Sequence, residues 1–294
     1  MFRELKNEAK LSFLLHTRSP LTIRSAQGKL LDPTLLDMQC VKSRYRGKDT
    51  VIIPGSSLKG VIRSRYEKII SLFGGECCDI FNNKSRCNKK IKGRKDRPYE
   101  EQGRYVYQYV CPACKLFGSL NIASRIYIAD AYPSGDCILG ERTGVGINRI
   151  TGAAQKGALY DFEVVEDGTF QVEITLKNYE LYQMVLLLYV LKDLDEGYVS
   201  LGAASTRGNG RMEVQKLDIC FRDYRKDVTG WKGEADPQEI PLHQKYHVQY
   251  EWKVPFYGEM ALQNISIDEM ITNCSGVDVQ KKLEEEKCQR HKLF

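Results

Sequence analysis

Cys111-Pro112-Ala113-Cys114 is the most chemically specific spacing in the chain. Two thiolates separated by two residues share one knuckle and can hold a single tetrahedral metal ion, each at about 2.3 Å. A closed site needs two more ligands. The neighbouring cysteines are Cys77, Cys78 and Cys87, and no histidine lies between His16 and His243. Adjacent cysteines rarely both reach one ion, for steric reasons. The expected ligands are therefore Cys78, Cys87, Cys111 and Cys114, with Cys77 as the substitute for Cys78. Four thiolates leave no open coordination position, which predicts a structural zinc that performs no chemistry. The competing reading is a redox pair or unrelated buried thiols. Cys40, Cys137, Cys220, Cys274 and Cys288 are scattered and read as core or surface thiols.

Two other segments place backbone N–H groups beside cations. One is the turn Ile53-Pro54-Gly55-Ser56-Ser57-Leu58-Lys59-Gly60, which opens a helix; the other is the glycine loop from Gly202 to Gly210. Such places suit phosphate groups. The candidate phosphate contacts, and so candidate nucleic-acid contacts, are Ser56, Ser57, Lys59, Arg63 and Arg65 on the first, with Arg207 and Arg211 around the second. Together they are expected to form one continuous cationic track. The competing readings are a helix cap with solvated charges and a tight turn. The loop lacks the Gly-Lys-Ser/Thr ending of a P-loop, which disfavours nucleotide hydrolysis.

The elements that must position these residues follow from hydrophobic period. Ala9 to His16 reads as a first strand, bounded by Ser19 and Pro20. Ser56 or Ser57 is placed to N-cap a helix with the apolar face Leu58, Ile62, Tyr66, Ile69 and Ile70, ending at Gly74 and Gly75. Residues 76–118 lack a sustained period and read as an insertion held by metal. Arg125 to Ala131 alternates like a half-buried strand. A glycine-rich excursion leads into Ala158 to Val165, which is expected to form a hairpin with Thr169 to Lys177 about Asp167-Gly168. Tyr179 to Leu191 reads as an apolar helix and Met212 to Cys220 as a strand. Tyr127 and Phe162 read as core. The order is the split β-α-β pattern of an α+β, ferredoxin-like domain. Residues 1–222 are assigned to this domain and 223–294 to a C-terminal extension, with Ile267 to Arg290 a short charged helix or frayed tail.

Bulk properties agree with a folded chain. It has 294 residues, 42% of them hydrophobic, enough for a real core. Lys and Arg number 44 against 38 Asp and Glu, a net charge of +6 that favours polyanionic partners mildly. The N-terminus carries charges where the apolar core of a signal peptide would lie, so a cytoplasmic location is expected. No run long enough for a membrane-spanning helix occurs.

The strings IPGSSLKGVIRSRYE, CPACKLFGS and LGAASTRGNGRMEV, in this order, resemble the RAMP proteins of CRISPR systems. The resemblance is to the repeated backbone subunit of type III effector complexes, including the zinc-bearing type III-D variants, and spans Lys10 to Phe221. It implies that residues 1–222 form a ferredoxin-like palm related to RNA-recognition modules, in a subunit that stacks with other effector subunits along a CRISPR RNA. It also implies a β-hairpin thumb, here 133–160, wedged between guide and complementary target RNA. The tip of that thumb, Gly144 to Gly157, carries Arg149 and Lys156 as further RNA contacts.

In catalytic members of the family, an aspartate in the loop upstream of IPGSSLKG supports metal-dependent attack of a ribose 2′-hydroxyl on the target phosphodiester. The segment Leu36 to Lys42 fits best, giving Asp37, with Asp32 in reserve, and magnesium or another divalent ion as cofactor. The preceding TIRSAQGKLLDP departs from the family's Gly-Gly turn. The alternatives are a catalytically inactive backbone subunit, a stand-alone CRISPR RNA-processing endonuclease, and an unrelated zinc-stabilised transcription factor.

Overall fold

A computed structural model of the chain describes residues 4–24, 36, 38–82, 85–87, 91, 99–237 and 239–291. Strand β1 (Asn7–Thr17) is its spine. Ala9, Leu11, Phe13 and Leu15 are all at most 2% exposed, while the alternate residues Lys10, Ser12 and His16 face the other way. Antiparallel ladders flank β1 on both sides: Leu11 stands opposite Ile174 of β8 (Thr169–Lys177) and Ile219 of β9 (Met212–Asp223).

β4 (Ile126–Ile128) and β5 (Tyr132–Pro133) occupy the far edge of β8. Because β1 and β4 are both antiparallel to β8, they run parallel to each other. A parallel pair needs a crossover, and α1 (Gly55–Leu72) supplies it. By the same reasoning β8 and β9 are joined by α4 (Leu181–Asp195). With β10 (Glu251–Val254) and β11 (Tyr257–Leu262), the strand order is β10-β11-β9-β1-β8-β4, a mixed α and β fold with an open sheet.

α1 buries Leu58, Ile62, Tyr66, Ile69 and Ile70 as its period predicts, and Gly74 (φ 78°) turns the chain out of the helix. α4 is apolar on nearly every face, since α1, β9 and two C-terminal helices surround it. The N-cap of α1 is Pro54, and neither Ser56 nor Ser57 caps it. Instead the Asp130 carboxylate accepts from the Gly55 N–H at 2.7 Å, a cap donated from beyond β4.

Two other expectations are corrected. β7 (Ala154–Asp167) does not pair with β8, both of whose edges are taken by β1 and by β4 with β5. It pairs with β6 (Ile138–Ile147) in a long two-stranded hairpin. Tyr127 is 65% exposed on the open face of the sheet, not core.

The segment after Asp223 is ordered into the same core. Trp231 is fully buried against Phe221 at 5.0 Å and donates to the Tyr179 hydroxyl at 2.8 Å. β11 (Tyr257–Leu262) extends the sheet from β9, and β10 (Glu251–Val254) pairs with β11. Three helices also lie in this segment, α5 (Leu242–Tyr246), α6 (Ile267–Asn273) and α7 (Val279–His291), the last two packed on α4. Among the described residues no helix is long and apolar enough to cross a membrane.

Candidate functional site

Cys78 lies in the loop after α1; α2 (Tyr99–Tyr109) comes before the knuckle, and Cys111 and Cys114 sit at the start of α3 (Pro112–Phe117). Pro112 at the first helical position fixes the knuckle, and the Cys111 sulfur accepts from the Cys114 N–H at 3.4 Å. The sulfurs of Cys78, Cys87, Cys111 and Cys114 are buried and lie within 4.8 Å of one another. Cys78 Sγ is 3.6 Å from Cys114 Sγ and 3.7 Å from Cys111 Sγ. A tetrahedron with metal–sulfur bonds of about 2.3 Å has edges of about 3.8 Å, so these four donors fit a thiophilic ion. Cys77, only half-buried, is outside this group. The Cys111 thiol is pushed well below its ordinary range by hydrogen bonds from Cys114 first, then Cys77, Cys78 and Cys87.

Two braces hold this cluster. The Arg63 guanidinium reaches Cys114 Sγ at 3.5 Å, Gly118 O at 3.3 Å and Glu67 at 2.8 Å. From the other side α7 docks on the knuckle. Lys115 Nζ pairs with Glu286 at 2.8 Å, and Arg290 donates to Glu76 O at 2.8 Å. Lys287 and His291 also meet the Glu76 carboxylate.

The predicted RNA contacts divide into two groups. The head groups of the first serve the fold: Lys59 donates to Ser124 and Ile126 O, Arg63 braces the thiols, and Arg65 pairs with Asp193 of α4 at 2.7 Å. Burial, with the Arg63 charge behind it, pushes the Lys59 ammonium below its ordinary range. Ser56, Arg149, Lys156, Arg207 and Arg211 are exposed, and Ser57 is half-buried. Arg63 lines a cavity of about 640 Å³ beside Cys78, Cys87 and Cys114, whereas Arg207 lines a separate hollow with Thr22, Tyr160 and Ala203.

The two backbone turns also differ from expectation. At the α1 terminus, Gly55 N–H is taken by Asp130, while Ser57 and Leu58 N–H bond to Pro54 O. A carboxylate already holds the place a phosphate would seek. In the glycine loop, Ala203 N–H donates to Thr22 O and Gly210 N–H to Pro20 O, both at 2.8 Å. A Cβ on Gly202 would lie 2.2 Å from Thr22 O, so glycine is required there for close backbone packing.

The β6–β7 hairpin exposes cations and apolar side chains together. Arg142, Arg149 and Lys156 are exposed, and so are Val145, Ile147, Ile150 and Leu159, with Ile150 at 95%. Asn148 closes its tip by accepting from the Ile150 and Thr151 N–H groups. Midway along it Tyr160 lies across Gly144, where a Cβ would meet the ring at 2.4 Å, and Arg207 donates to the Tyr160 hydroxyl at 2.7 Å.

Asp37 and Asp32 lie outside the described residues. The chain that follows Asp37 is tied to the hairpin root: Glu163 N–H donates to Met38 O at 2.9 Å, and the Glu163 carboxylate accepts from Cys40 N–H and Lys42 Nζ. Asp130, Glu163, Lys115 and Glu286 were not singled out by sequence reasoning. Each acts on a partner remote in sequence, so no local pattern marks it.

Comparison with known proteins gives a concordant answer. The model of the RAMP superfamily matches residues 15–213. The chain is also similar to the CRISPR system Cms endoribonuclease Csm3 of Methanocaldococcus jannaschii, at 27% identity over 210 residues, covering 64% of this chain and 73% of that protein. With its matched segment running from β1 into β9 and enclosing the four-cysteine cluster, the chain belongs to the RAMP superfamily.

Proposed function

We propose that the protein is a backbone subunit of a type III CRISPR effector complex, binding CRISPR RNA and complementary target RNA beside other effector subunits. The observation that carries this reading is the β6–β7 hairpin. A lone two-stranded ribbon with exposed Ile147, Ile150 and Leu159 is marginal in water and suits an environment of stacked bases. Its exposed Arg149 and Lys156 match the phosphates on either side. In this reading the hairpin is the thumb. The order β9-β1-β8-β4, with two helical crossovers, supports a ferredoxin-like palm.

Arg207 and Arg211, with Ser56 and Ser57, are the palm's RNA contacts in this account. Lys59, Arg63 and Arg65 act through the fold. Zinc is the ion proposed for Cys78, Cys87, Cys111 and Cys114, where it would knit the 76–118 insertion to the palm. The 223–294 segment is read as an extension fused to the palm core.

Target cleavage is the finer reading. Asp37, with Asp32 in reserve, would serve a magnesium-dependent step, and Met38, Cys40 and Lys42, which follow Asp37 in the chain, are anchored to Glu163 of the long hairpin. The non-cleaving backbone subunit is the alternative. The experiment is purification of the assembly from cells that express this chain with its partner subunits and a CRISPR array. Sequencing of bound RNA should return repeat-spacer transcripts; an RNA-free assembly contradicts the proposal.

A further inference from the structure

The segment Lys42-Ser43-Arg44-Tyr45-Arg46-Gly47-Lys48-Asp49 carries four cations and one acid in eight residues. It folds as a separate ribbon of β2 (Lys42–Tyr45) and β3 (Lys48–Val51). Lys42 is spent on Glu163 at 2.8 Å. Arg44, Arg46 and Lys48 are exposed, and among the described residues none has an ion pair. Asp49 stands opposite Arg44 in register yet makes no such pair with it. Three cations within five residues, with no acidic partner among the described residues, repel one another. A compact fold gains nothing from that arrangement unless an anion completes it.

The turn adds an independent sign. Tyr45 pairs with Lys48, leaving Arg46 and Gly47 as a two-residue loop with φ of 50° and 82°. Positive φ at both positions is the type I′ geometry, for which Asn, Asp or Gly is the favoured first residue. Arginine there is strained, and local strain held by surrounding structure is a mark of functional positions. The surroundings do hold it. Tyr45 stacks on Tyr132 of β5 with centroids 4.3 Å apart, and the Arg46 guanidinium lies 5.2 Å from the Tyr45 ring centroid. The Lys42–Glu163 pair ties the ribbon to the root of the long hairpin.

We infer that the β2–β3 ribbon is a second RNA-binding element, with Arg44, Arg46 and Lys48 contacting consecutive phosphates of a single strand at the base of the long hairpin. This deepens the proposed function and rests on the chain being an RNA-binding protein. Arg46 is held by its tyrosine platform, so less side-chain freedom is lost when it meets a phosphate.

The test is titration of the full chain with fluorescein-labelled single-stranded RNA of mixed sequence, repeated across salt concentrations. Each phosphate contact on a single strand contributes about 0.7 to the slope of log affinity against log salt. The triple variant R44E/R46E/K48E should lower the magnitude of that slope by about 2 and weaken binding by about 100-fold at 0.1 M salt. R46G removes one cation and relieves the strained turn. It should weaken binding by about 5-fold while melting no lower than the unsubstituted chain. Equal binding and equal slope for both variants overturns the ribbon site and leaves the broader RNA-binding reading intact. Failure of the unsubstituted chain to bind RNA overturns both.

Discussion

Lys115 Nζ lies 2.8 Å from Glu286 Oε1, and the two side chains are only 5% and 4% exposed. The pair joins the helix of the Cys-x-x-Cys knuckle to α7, across 171 residues of chain, and Tyr182 donates to the same carboxylate at 2.7 Å. A buried charge left without its partner is costly, whereas a well-packed apolar pair can replace both. E286A should therefore lose about 3–5 kcal/mol in urea denaturation. K115M/E286L should recover most of it, and a double variant as unstable as E286A would show that packing, not charge, dominates.

The four-sulfur cluster predicts one thiophilic ion per chain. C78S and C114S should each lose it by elemental analysis, with an early melting transition and rapid proteolysis of the 76–118 segment, because apo thiols cannot replace metal–ligand bonds. C77S should keep the ion. Retention of metal by C78S and its loss in C77S would exchange the fourth ligand.

Glu239 predicts an acid-sensitive contribution to stability. Burial pushes its carboxyl up, but the N–H groups of Gly230 and Thr229 and the Thr229 hydroxyl outweigh that, leaving it below the ordinary 4.5. A folded-state value below the unfolded one means that stability is present above pH 4.5 and is lost as pH falls through the lower folded value. E239Q should be less stable by about 1 kcal/mol at neutral pH. The gap to the unsubstituted chain should close on acidification, measured by denaturation at several pH values; a gap independent of pH would remove the carboxylate from the explanation.

The cleavage reading stands on Asp37. In the assembled complex, D37A should reduce target RNA cleavage by about 100-fold or more while guide binding is unchanged. D32A should cleave normally. Full cleavage by D37A and its loss in D32A would move the role to the reserve residue.

Much of the palm was legible in the sequence because its signals are local. The alternation through Leu11, Phe13 and Leu15 and the helical face of Leu58, Ile62, Tyr66 and Ile69 are buried as their periods require. Cysteine spacing and sterics indicated Cys78, Cys87, Cys111 and Cys114, the same four sulfurs that cluster in the fold. What stayed hidden depends on partners far apart in the chain. Asp130 took the capping role expected of Ser56 or Ser57 because β4 ends beside α1. Arg63 and Lys59 look like free cations in sequence, yet tertiary packing turns them onto Cys114 and Ser124. The C-terminal helices carry charged faces, and only the fold reveals that Glu286 and Arg290 point inward. Single-stranded RNA contacts are harder still to read, since phosphates ask only for charge and reach, which the β2–β3 ribbon supplies without any motif.

Photo-crosslinking of the RNA-loaded assembly, with mass spectrometric mapping of the modified peptides, is the most direct test of the central claim. Adducts on this chain should concentrate in the β6–β7 hairpin and around Arg207 and Arg211. Crosslinks confined to the outer faces of α6 and α7, or no adducts on this chain while its partners are labelled, would contradict an RNA-binding backbone role.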